Sequence, residues 1–156
     1  MWFSRAYKNL PALGASDLRY KTGWAIGGWF VPILWLWRPK QIANDIWRAS
    51  DPESPLEQGE AWRTKLVPTL LTAWWVAWIA AADLGNVVLR LSIGGDTAED
   101  FRMADYADLV RLVLDIVAAS LAIVVVLRIT RRQADRAHAL AAVPRTAEPF
   151  AGSDSL

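Results

Sequence analysis

Residues 66–82 read LVPTLLTAWWVAWIAAA and hold no charged side chain. Two further blocks share that character. Residues 22–37 (TGWAIGGWFVPILWLW) hold no charge, and residues 112–127 (LVLDIVAASLAIVVVL) hold only Asp115. Elsewhere charges recur every few residues, so these blocks lack the amphipathic alternation of a soluble core. A bilayer core needs about 20 helical residues, with about 17 as the lower limit. Block 66–82 meets this if its helix runs from Lys65 through Asp83 toward Val88, and block 112–127 does if its helix begins near Asp108. Block 22–37 cannot be extended, because Lys21 and Arg38 close it. Gly23, Gly27, Gly28 and Pro32 also interrupt it, and Pro32 disfavours a helical Val31.

The 156 residues suit one domain. The chain is 54% apolar with a mean hydropathy of +0.18, which excludes disorder throughout. A net charge of +1 argues against a protein that coats nucleic acid. The absence of cysteine excludes disulfides, thiolate metal sites and a cysteine nucleophile. Ten tryptophans stand out, six of them between Trp24 and Trp62.

Around the apolar blocks, residues 1–10 place Trp2, Phe3, Ala6, Tyr7 and Leu10 on one helical face. Pro11 and Gly14 close that helix. Residues 39–50 start with a proline suited to a first helical turn and set Ile42, Ala43, Ile46 and Trp47 against Lys40, Gln41, Asn44 and Arg48. Asp51 to Pro55 is a loop signal, and Ser50-Asp51-Pro52 reads as a helix stop. Gly94, Gly95 and Asp96 break the chain. Thr97 and Asp100 then form a capping box that opens a long helix ending near Val143, before Pro144. Residues 144–156 read as a disordered tail.

Basic residues set membrane orientation. If block 22–37 enters and leaves on one side, that side holds fourteen lysines and arginines, against two in segment 83–108. If the block spans, the split is ten against six. The first count predicts a re-entrant or interfacial hairpin over 22–37 that opens to the cytoplasm, with the N-terminus and C-terminal tail on that side.

The runs RAYKNLPALG, GWAIGGWFVPILWLWRP and IWRASDP, followed by the WW-x-x-W block, resemble a bacterial membrane family known as domain-of-unknown-function family 4328. The resemblance covers most of residues 3–132, with Arg5 to Pro52 its most specific part. It implies hydrophobic helices upstream of the RAY motif, so that this chain starts late. Thr22, Trp35 and Lys40 depart from the family's usual proline, asparagine and tyrosine. The resemblance implies an architecture and supplies no reaction.

Ionisable residues at membrane depth are the first functional candidates. If Lys65 and Arg128 lie at one level, Asp83 and Arg111 fall at equal depth, and Arg111 and Asp115 share a helix face. An Asp83–Arg111–Asp115 cluster is expected, either as a clamp between helices or as a proton or ion relay. Asn86 and Arg90 would anchor the outer helix end. Ala73, Ala77 and Ala81 form a small-residue stripe for close approach to Ala118 and Ala122, with Trp74, Trp75 and Trp78 turned away toward lipid or packed on the hairpin, and a quinone or lipid site as the lesser reading. Trp24, Trp29, Trp35, Trp37, Trp47 and Trp62 read as an interfacial belt. Arg5, Lys8, Lys40, Arg48, Arg128, Arg131 and Arg132 read as a basic set facing anionic lipid. His138 has no partner ligands. No phosphate loop, nucleophile elbow or metal motif occurs, so no catalytic residue, metal or cofactor is assigned.

The sequence thus predicts an all-α integral membrane protein of the inner or plasma membrane, with one membrane domain over 1–143. Its parts are an interfacial helix 1–10, the hairpin 22–37, an interfacial helix 39–50, a transmembrane helix 66–89 and a helix 97–143 that spans over about 106–128. The expected function is a non-enzymatic module that binds lipid or a membrane-protein partner, including a second copy, and no nucleic acid. The alternative is a component of a transporter or ion-conducting assembly. A lipid-processing enzyme is a third reading, with no nucleophile to carry it.

Overall fold

A computed structural model describes residues 2–55, 58–94 and 97–143. The tail 144–156 and the Gly95-Asp96 break lie outside the described residues. Five α-helices are described: α1 (Trp2–Lys8), α2 (Trp24–Gly27), α3 (Arg38–Ala49), α4 (Thr69–Gly94) and α5 (Ala98–Ala141). Short 3-10 turns stand at Pro11–Leu13, Leu34–Leu36 and Ala61–Thr64. Among the described residues the only strand-like pairing is a single parallel bridge between Ala15 and Gly59.

Helices α4 and α5 pack along one another and dominate the molecule. Their 26 and 44 residues correspond to about 39 and 66 Å. The capping box at the start of α5 is formed: Asp100 N–H donates to Thr97 Oγ1, and Thr97 N–H donates to Asp100 Oδ2. Along α5 the buried positions Ala104, Ala118, Val125, Ile129 and Arg136 make one continuous seam. The spacings from 104 through 118 to 125 are multiples of seven residues, which suits a slightly supercoiled helix pair. On α4 the buried positions are Leu71, Trp74, Trp75 and Ala81.

Outside that seam the pair is bare. Val87, Leu89 and Ile93 of α4 and Leu109, Val113, Ile116 and Ile123 of α5 are exposed. Both helices are long and apolar enough to cross a membrane, by length and composition. Only 6% and 17% of their most apolar windows are buried. A core helix of a soluble protein would be mostly buried, and these windows are not.

The opposite end is a folded base. Ile42, Ala43, Ile46 and Ala49 of α3 pack with Tyr7, Leu10, Leu13 and the fully buried Trp62 against Leu71, Val125 and Ile129. Gln58 donates to the carbonyls of Leu13 and Ala49, and Trp62 Nε1 donates to Ser16 O. Arg136 reaches the carbonyls of Leu13, Ser54 and Pro55. The last turns of α5 are therefore built into the base.

The first helix is shorter than expected, and Pro11 opens a 3-10 turn that extends it; Gly14, at φ 85°, ends that turn. The residues that flank segment 22–37 are in contact. The Arg38 guanidinium lies 4.3 Å from the Tyr20 ring centroid and 5.2 Å from that of Trp24, so the two ends of the segment meet.

Candidate functional site

The inward face of α4 is aromatic. Trp75 and Trp78 stack at 5.0 Å, and Trp29 meets both edge-on at 6.1 and 5.2 Å. Trp35 meets Trp78 at 5.5 Å, and Phe3 of α1 meets Trp29 and Trp74. Trp75 Nε1 donates to Leu36 O at 3.0 Å. Edge-to-face and offset pairs at these distances add stabilisation beyond the area they bury. The cluster fastens α1, the 22–37 segment and α4 together.

The alanine stripe expected on α4 is corrected here, whereas Trp75 and Trp78 pack on Trp29 and Trp35 of segment 22–37, one of the two surroundings expected for them. Trp74 and Trp75 are buried, Ala73 is exposed and Ala77 is half-buried; Ala81 alone of the three alanines is buried. Rings bury far more surface than methyl groups, so the base claims the aromatic face. Ala118 is buried on the α5 seam and Ala122 packs on the core. The six tryptophans between 24 and 62 also divide. Trp29 and Trp35 join the ring cluster, Trp62 is in the core, Trp24 lies under Arg38, and Trp47 lies under Arg132 at 4.7 Å. Trp37 is exposed.

On α5, Arg111 pairs with two carboxylates of its own helix, Asp108 Oδ1 at 2.8 Å and Asp115 Oδ2 at 2.7 Å. Asp83 is not brought to it. A methyl group built on Gly85 would sit 3.4 Å from Arg111 Cδ, so Gly85 takes the place facing Arg111. Residues two apart on a helix point about 200° away from each other. Asp83 is accordingly exposed and has no ion pair among the described residues. Asn86 donates to Ala82 O on its own helix, and both Asn86 and Arg90 are exposed.

The basic set divides as well. Arg5, Lys8, Arg128 and Arg131 are exposed and Lys40 is half-buried. Arg48 and Arg132 are instead tied into the base. Arg48 Nε donates to Lys65 O at 2.7 Å. Arg132 donates from Nε to Trp47 O and from Nη2 to Asp51 Oδ1, while Lys65 binds the other Asp51 oxygen. Burial pushes the Asp51 carboxyl up, but the Lys65 hydrogen bond and the charges of Arg132 and Lys65 outweigh it and hold the group below its ordinary value.

The sequence reading missed Asp45. It is fully buried on α3, and neither carboxylate oxygen has a hydrogen-bond partner among the described residues. Arg19 Nε stands 3.9 Å away. Burial pushes its pKa up to about 6, against the pull of Arg19, Arg48 and Arg63. The signal was available: Ile42, Asp45, Ile46 and Ala49 recur at helical spacing on one face. Among the described residues no group of three or more acidic or histidine side chains could hold a metal, and His138 is exposed.

The family model described as Domain of unknown function (DUF4328) matches residues 1–131. No curated protein and no solved structure matches the chain.

Proposed function

The chain belongs to the DUF4328 family of unknown function, and from that premise we propose a small integral membrane module that binds lipid or a membrane partner and catalyses no reaction. One observation carries this reading: α4 and α5 leave large apolar side chains exposed over their distal halves while a closed, hydrogen-bonded base holds their near ends. The basic residues gather on the base side, which supports a cytoplasmic base in an inner or plasma membrane.

The ring cluster supports shallow re-entry of segment 22–37. Trp29 and Trp35 meet Trp78, nine residues beyond Thr69 and so about 14 Å along α4. Phe30 and Ile33, in the turns of that segment, are 77% and 64% exposed, which suits lipid contact. Exposed Arg5, Lys8, Arg128 and Arg131 would face anionic headgroups. Two spans bury little of their own surface, which favours a partner helix or a second copy alongside.

A role in conduction is the second reading, favoured by a charged Arg111–Asp115 pair set among the exposed Leu112, Val113 and Ile116. Extraction of membranes into copolymer discs, followed by mass analysis and a reconstituted flux assay, separates the two. A stoichiometric partner or retained lipid without flux is expected. Flux lost in Asp115→Asn would overturn the binding reading.

A further inference from the structure

Four of the described glycines have a reason internal to the chain. Gly14 and Gly59 adopt positive φ, and Gly28 and Gly85 lie against Arg38 and Arg111. Gly23 and Gly27, like Gly94, show neither feature. Gly23 has an ordinary φ of −59° and Gly27 is helical, and a methyl group on either would meet nothing within 4 Å. Gly23 is the N-cap of α2, a position glycine suits, whereas Gly27 is helical, where glycine is weaker than alanine and leaves the surface open to contact from outside the chain.

Both glycines line one apolar groove of about 350 Å³, together with Trp24, Val31 and Lys21. Lys21 stands at its edge, and Arg38 lies over Trp24, one of its walls. Residues 18–44 contain no acid, and Arg19 among their cations is paired with Asp45. Lys21 and Arg38 have no ion pair among the described residues, and the buried Nε of Arg38 has no hydrogen-bond acceptor there. Arg38 is held in place between Tyr20 and Trp24, the latter also a wall of the groove.

We infer that this groove seats an acyl chain of an anionic phospholipid, with the headgroup phosphate on Lys21 and Arg38. The inference rests on the membrane reading above and deepens it. The charge pattern selects the occupant. A second copy docked symmetrically on this face would set Lys21 and Arg38 against their own twins with no carboxylate to offset them. A lipid supplies the apolar chain and the negative charge in one molecule. Gly23 and Gly27 also have the spacing of a helix-packing pair, but α2 offers a partner helix only four residues.

The test uses the full chain purified in detergent, incubated with phosphatidylglycerol or phosphatidylcholine, with bound lipid counted by native mass spectrometry. Retention of phosphatidylglycerol over phosphatidylcholine by about fivefold is expected, near the effect of one interfacial cation. Lys21→Gln should remove that preference. Gly27→Val should reduce binding of both lipids, and the milder Gly27→Ala should do so in part with an unchanged circular dichroism spectrum. No preference in the wild type, or full binding by both Gly27 variants, would overturn the inference. A crosslink from Gly27→Cys to another polypeptide would overturn it too and assign the groove to a helix. Alkaline extraction of the same membranes keeps the two readings apart. A chain that is released refutes the membrane module itself, whereas a retained chain with unaltered lipid binding refutes the groove alone.

Discussion

Arg132 of α5 donates from Nη2 to the Asp51 carboxylate at 2.8 Å, across 81 residues of chain. The same carboxylate takes Lys65, just before α4, and stands just past the end of α3. One acid therefore joins the end of α3, the approach to α4 and the exit of α5. Asp51→Asn would leave two partly buried cations without their partner and should lower stability by about 2 kcal/mol. The pH dependence has a definite sign. Because the folded pKa is lowered, the stabilisation is present above the ordinary carboxylate value near 4 and is lost as pH falls through the lowered one. Thermal melts in detergent should show this acid loss in the wild type and not in the variant.

Asp45 has the opposite sign. Its folded pKa of about 6 lies above that of the unfolded chain, so its contribution is best below about pH 4 and is lost as pH rises toward 6. Asp45→Asn should raise stability by about 1–2 kcal/mol at pH 8 and leave it unchanged at pH 4. A melting temperature that gains nothing at pH 8 would show that the carboxylate has a partner.

Two adjacent glycines should respond differently. A methyl group on Gly28 would lie 2.8 Å from Arg38 Cγ and 2.9 Å from Trp24 O, whereas one on Gly27 meets nothing. Gly28→Ala should cost about 1–3 kcal/mol. Gly27→Ala should be neutral or stabilising by up to about 1 kcal/mol. The difference in melting temperature between the two variants is the readout.

Trp78 touches three rings, Trp29, Trp35 and Trp75. Trp78→Ala should cost about 2–4 kcal/mol and free the 22–37 segment from α4. Limited proteolysis should then cut within residues 22–37 while α4 and α5 stay intact. Unchanged resistance would show that the segment is held by the base alone.

The long helices were legible because their signals are local. The Thr97–Asp100 capping box and the apolar runs 66–82 and 112–127 marked α4 and α5 to within a few residues of their observed bounds. Which face of α4 turns inward was not legible. In a helix apolar all round, hydropathy does not separate a lipid-facing tryptophan from a packed one, and Trp74 and Trp75 pack. Arg48 and Arg132 read as surface cations because their acceptors, Lys65 O and Asp51, are brought to them only by the fold. Asp83 and Arg111 were matched by depth, but depth fixes height along a helix and not direction around it. Gly85 takes the place facing Arg111, and Asp83, two residues away, points to nearly the opposite side.

The central claim is a base on one side of a membrane with α4 and α5 crossing it. The chain has no cysteine, and Ser16 in the base and Ser92 near the far end of α4 are both exposed. Single Ser16→Cys and Ser92→Cys variants in intact cells, treated with a membrane-impermeant maleimide, test the claim directly. Ser92→Cys should label from outside, and Ser16→Cys only after lysis. Labelling of both positions under the same condition would contradict the account.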